Sequence, residues 1–65
     1  MIHVNGEPAA VAPGITIAEL VRAMDAPDRG VAVAVDGEVV PRATWEATQV
    51  ADEARVEIVM AVQGG

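Results

Sequence analysis

The segment ITIAELVRAM, residues 15–24, sets the frame within which the rest of the chain must fold. Thr16 followed three residues later by Glu19 reads as a capping box, in which each side chain takes a backbone N–H that a first helical turn leaves unpaired. Ile15 and Leu20 stand at the N′ and N4 positions of a hydrophobic staple. Ile17, Leu20, Val21 and Met24 fall on one face at helical spacing. Pro27 stops the helix, and residues 25–30, with Asp25 and Asp28, form the connection that follows. The result is one short amphipathic helix whose apolar stripe requires a facing layer.

Two hairpins flank it. In IHVNGEPAAVA, Asn5-Gly6 is a type I′ turn signal, because both central residues of that turn need positive φ. Ile2 and Val4 alternate with His3 in a half-buried first strand. The second strand, Pro8 to Val11, starts on a proline and belongs at a sheet edge, and Pro13-Gly14 turns out of it. In VAVAVDGEVVP the turn is Asp36-Gly37; Val31, Val33 and Val35 share one face, Ala32 and Ala34 the other, and Pro41 ends the strand. Residues 42–54 read as an irregular, turn-rich connection. The closing strand alternates Val56, Ile58, Met60 and Val62 against Arg55, Glu57, Val59 and Ala61. The order strand, strand, helix, strand, strand, connection, strand predicts an α+β β-grasp domain: a mixed sheet of four to five strands with one helix across it. The last strand is expected to return to the middle, beside the first. The expected division is a β-grasp domain over 1–62 and a flexible Gly-Gly tail over 63–65.

A chain of 65 residues makes one small domain. It contains no cysteine, so packing alone must hold it together, and any sulfur chemistry needs sulfur from outside. The net charge of −6, with four basic residues that are all arginine, argues against nucleic acid and anionic membranes as partners. No apolar run approaches the roughly 20 residues of a bilayer span, and the N-terminus lacks the pattern of a secretion signal. The expected location is the cytoplasm, and the expected partner carries a basic face.

Few residues are candidates for chemistry. His3, the single histidine, reads as a surface residue rather than a catalyst or ligand. Asp52 and Glu53 read as turn solvation rather than a metal site, with none expected. One His, no Cys, no Ser and three Thr assemble no nucleophile, base and orienting group, so no catalytic residue is assigned and the chain is not expected to be an enzyme. Trp45 reads as a core cap whose N–H finds a carbonyl, and Arg42 as the partner of a nearby carboxylate. Ala32, Ala34, Val59 and Ala61 would form a flat apolar patch on the sheet face away from the helix, a docking surface. Gln63, Gly64 and Gly65 would project from an anchored strand. Glycines without Cβ can thread a narrow channel, and the Gly65 carboxylate is the one candidate reactive group once its oxygen is made a leaving group.

The chain resembles the ThiS family of sulfur carriers of thiamine (thiazole) biosynthesis, within the ubiquitin-like β-grasp proteins. The resemblance spans essentially the whole length and is carried by TIAEL, VAVAVDGEVVPRATW and VQGG. The pattern Val40-Pro41-Arg42 with Trp45 is particularly like this family. Where the family usually places an acidic residue and a glycine before the last strand, this chain reads ADEA. The resemblance implies a cycle in which a ThiF-type adenylyltransferase activates the Gly65 carboxylate with ATP. A persulfide donor such as a cysteine desulfurase then leaves a thiocarboxylate, and thiazole synthase, ThiG-type, takes the sulfur. It implies no permanently bound cofactor and a monomer when free. A small subunit of molybdopterin synthase, a ubiquitin-like modifier and a plain interaction module are the alternatives.

Overall fold

The structure, a computed structural model, describes residues 1–26 and 30–60. Its elements are β1 (Ile2–Val4), β2 (Glu7–Ala9), α1 (Ile17–Ala23), β3 (Val31–Val35), β4 (Glu38–Val40), a single 3₁₀ turn (Arg42–Thr44) and β5 (Arg55–Met60). The five strands form one sheet in the order β2-β1-β5-β3-β4. β5 is central, parallel to β1 and antiparallel to β3, with Val56 opposite both Val4 and Val35. This is the β-grasp arrangement with the closing strand in the middle. β2 is Glu7–Ala9, not Pro8–Val11. The tight Asn5-Gly6 turn pairs Val4 with Glu7 at once and sets Pro8 opposite His3. Pro8 thus sits on an edge strand, where the missing N–H costs least.

α1 is built as its sequence demands. Thr16 is the N-cap; its N–H donates to Glu19 Oε1 at 2.9 Å, and the Glu19 N–H donates to Thr16 Oγ1 at 3.2 Å. The next orphan donors are met by the 42–54 connection, with Ile17 N donating to Thr48 O at 2.9 Å and Ala18 N to Trp45 O at 3.2 Å. Every first-turn N–H therefore has a partner inside the chain. The helix ends before Pro27, which lies outside the described residues. It closes with a Schellman motif: Ala26 N donates to Val21 O at 3.2 Å, Asp25 N donates to Arg22 O at 3.1 Å, and Asp25 takes φ 57°.

One core joins the layers: Ile17, Leu20 and Val21 of α1 with Ile2, Val4, Val33, Val56 and Ile58 of the sheet, closed by Trp45, Val50 and Ala54. Two expected core residues are not in it. Met24 is 46% exposed because it is already the C-cap, with φ −89° and ψ 7°, past the last helical turn. Met60 is 54% exposed at the end of β5, opposite a half-buried Val31. The boundary expected between residues 62 and 63 lies outside the described residues, as does Asp28.

Candidate functional site

β5 carries the chain toward Gly65, and it is held from both sides. On one side, Asp36 N donates to Arg55 O at 2.8 Å. Alternate residues therefore turn their backbone groups to β3 at Arg55, Glu57 and Val59, and toward β1 at Val56 and Ile58. On the other side, His3 N donates to Ala54 O at 2.9 Å and Asn5 N to Val56 O at 2.8 Å. A strand bonded along both edges gives a fixed base to whatever follows it. Gln63, Gly64 and Gly65 themselves, with Ala61 and Val62, lie outside the described residues.

The face of the sheet away from α1 carries three of the apolar residues expected there, Ala32, Ala34 and Val59; the fourth, Ala61, lies outside the described residues. Ala32 lies directly opposite Val59, and Ala34 opposite Glu57. Ala32 is exposed, Ala34 half-buried and Val59 59% exposed. The register adds a residue that sequence reasoning missed: Val39 pairs with Ala34 across the second hairpin and is 73% exposed. The signal was available, since a two-residue Asp36-Gly37 turn forces Ala34 and Val39 onto one face. Val39, Ala34, Ala32 and Val59 thus make a flat apolar area across three strands. Beside it lies a polar corner, an open notch lined by His3, Asn5, Gly6, Arg55, Val56 and Glu57.

The residues read as ordinary take ordinary positions. Trp45 is buried, and its Nε1–H donates to Val40 O at 2.9 Å. Arg42 stacks its guanidinium 5.5 Å over the Trp45 ring centroid, a cation–π contact; among the described residues it forms no ion pair with a carboxylate, contrary to expectation. The Val40-Pro41-Arg42…Trp45 pattern is therefore one local unit that folds the chain back onto the core after β4. Glu53 takes φ 66°, so the turn before β5 keeps the left-handed geometry a glycine would supply, and its carboxylate meets the Met1 amino group at 3.1 Å. Glu19 is held below the usual carboxylate range, first by the Thr16 backbone N–H, then by the Thr16 hydroxyl, with Arg22 adding to both. Among the described residues no polar or charged side chain is buried. No cluster of His, Cys, Asp or Glu there fits a metal, and no helix is long and apolar enough to cross a membrane.

The ThiS family model matches residues 2–65. A crystal structure of thiamine biosynthesis protein ThiS from Geobacter metallireducens is similar, with a TM-score of 0.83 and 34% identity over 98% of this chain and 97% of that one. A solution NMR structure of a thiamine biosynthesis protein from the same organism gives a TM-score of 0.80 and 34% identity over 98% of this chain and 86% of that one. A search of curated proteins gives no match. With the family pattern running through all but the first residue and the same fold in relatives of this identity, the chain belongs to the ThiS family.

Proposed function

We propose that this protein is a sulfur carrier of thiamine (thiazole) biosynthesis and that its reactive group is the carboxylate of Gly65. The observation that carries the reading is the match to the ThiS family through residue 65, on a fold whose central strand leads into that end. A ThiF-type adenylyltransferase would join the carboxylate to AMP, releasing pyrophosphate from ATP. The terminal sulfur of a persulfide would attack the acyl carbon and AMP would leave. A thiol supplying two electrons would then cleave the S–S bond and free the thiocarboxylate for thiazole synthase. Catalysis belongs to those partners, ATP is consumed by the adenylating one, and the carrier acts in the cytoplasm as a monomer without a cofactor of its own.

The test is an intact mass after incubation with MgATP, a persulfide source and the adenylating enzyme. Exchange of one terminal oxygen for sulfur supports the carrier, and an unchanged mass sinks it. One glycine added after Gly65 abolishes the conversion while the fold persists. Covalent conjugates to other proteins would instead favour a ubiquitin-like modifier.

We further propose that Ala32, Ala34, Val39 and Val59, with Ala61, dock the partners. Val39 and Val59 are too exposed to be needed by the core, so Val39→Glu and Val59→Glu keep the fold. Each raises the half-saturating carrier concentration for the adenylating enzyme by about tenfold or more, the scale of an interface anchor. An unchanged value in both would remove this face from the interface.

A further inference from the structure

The β1–β5 ladder does not end where β1 ends. In a parallel pair, a residue donates its N–H to one residue of the neighbour and accepts from the residue two further along. Asn5 N donates to Val56 O at 2.8 Å, so the next acceptor for Ile58 N–H would be the Asn5 carbonyl, and the next donor for Ile58 C=O would be the N–H of Glu7. Neither is available. Asn5 has already turned, at φ 52°, and Glu7 is paired with Val4 in the hairpin. The Asn5 side chain fills both places. Ile58 N donates to Asn5 Oδ1 at 2.9 Å, and Asn5 Nδ2 donates to Ile58 O at 3.3 Å. Ile58 is a buried core residue and both bonds are part-buried, so an unmet pair there carries a cost.

We propose that Asn5 is a positioning residue for the chemistry of Gly65: its side-chain amide extends the ladder past the end of β1 and fixes the direction in which β5 leaves the sheet. This rests on the carrier reading above. An amide is the group the position requires, because one side must accept a hydrogen bond and the other must donate one. A serine is too short to reach both groups, and a carboxylate has no donor for the Ile58 carbonyl. The first hairpin thereby sets both its own turn and the course of a strand 53 residues further on.

Asn5→Gly isolates the side chain, because glycine adopts the turn conformation without strain. Amide hydrogen exchange in the full chain reads the clamp directly. Protection at Ile58 should fall by about tenfold or more, while Glu57 and Val59, bonded toward β3, change far less. Equal loss at all three would mean general destabilisation, and unchanged protection at Ile58 would mean no clamp; either overturns the proposal. The functional arm measures conversion of the terminal carboxylate by the adenylating enzyme and persulfide source. Mispresentation lowers kcat by about tenfold and leaves KM within about twofold. A loss confined to KM would make Asn5 a docking residue and overturn the positioning role. Failure of the wild-type chain to convert at all would refute the carrier reading instead, and the exchange result would still decide whether the clamp exists.

Discussion

The two hairpin turns are nearly the same in sequence and backbone, and they serve the central strand differently. Asn5-Gly6 has φ values of 52° and 84°, and Asp36-Gly37 has 50° and 87°. Each turn also places the N–H of its first residue 2.8 Å from a carbonyl of β5. The side chains then diverge. Among the described residues the Asp36 carboxylate accepts only the Arg55 N–H, at 3.0 Å, whereas the Asn5 amide meets both backbone groups of Ile58. Strand direction accounts for the difference. β3 runs antiparallel and its turn lies at the start of β5, where one donor is left over. β1 runs parallel and turns away midway along β5, leaving a donor and an acceptor together. The turn dipeptide is chosen for backbone conformation; which member of the Asn/Asp pair stands there is decided by a strand far away.

Exchanging the two side-chain types gives the sharpest test. Asn5→Asp keeps an acceptor for Ile58 N–H but sets a carboxylate against the Ile58 carbonyl in a part-buried place, and should cost ~2 kcal/mol, the scale of a buried group left unsatisfied. For a domain this small, that lowers Tm by roughly 10 °C. Asp36→Asn keeps everything Arg55 needs and should cost under ~0.5 kcal/mol, as for an ordinary surface substitution. Equal losses in thermal or urea unfolding would show that the turns respond to the dipeptide alone, and the contrast would collapse.

Much of this fold was legible because its signals close within a few residues. The capping box spans Thr16 to Glu19, and each hairpin turn is a dipeptide whose alternating flanks fix which side chains face α1. The central place of β5 followed from the need to bury both ends of the chain. What escaped reading depends on neighbours distant in sequence or on where an element stops. Asn5 and Ile58 are 53 positions apart. Met24 fits the helical stripe but stands one residue past its end. Arg42 looks like an ion-pair partner until Trp45 is placed beneath it. For the candidate site, Ala32, Ala34 and Val59 were legible from alternation alone, and Val39 needed the register of the second hairpin.

Among the described residues two further positions adopt positive φ without glycine, Asp25 at 57° and Glu53 at 66°, and they sharpen the contrast between the turns. The Asp25 side chain forms no hydrogen bond among the described residues; it occupies the C′ position of the Schellman motif, where glycine is favoured. Asp25→Gly should therefore stabilise by ~0.5–1 kcal/mol. Glu53→Gly relieves the same strain but loses an exposed ion pair with Met1, itself worth ~0–1 kcal/mol, and should be close to neutral. At Asn5 the same change to glycine destabilises. Urea unfolding of the three variants should rank them in that order, and a loss at Asp25 would show that its side chain does work of its own.

The smallest effect concerns the helix cap, where all of the bonding is local. Glu19 has its folded-state pKa lowered from 4.5, mainly by the Thr16 N–H and then by the Thr16 hydroxyl. A depressed carboxylate contributes stability that is fully present above its unfolded pKa and is lost as pH falls through its folded pKa. The window therefore opens below 4.5, and full exposure keeps the effect small. In Glu19→Gln the amide oxygen can still accept from Thr16 N–H, but the charge and its titration are gone. The Tm gap between wild type and variant should narrow between about pH 6 and about pH 3; a gap independent of pH would place the cap's value in the hydrogen bond rather than the charge. The cap is the counterpart of the Asn5 clamp. Both join an unpaired backbone donor to a side-chain oxygen, yet the cap's bonds are exposed while those at Ile58 are part-buried. That difference in surroundings, more than the bond itself, is why a substitution at Asn5 should be felt and one at Glu19 barely noticed.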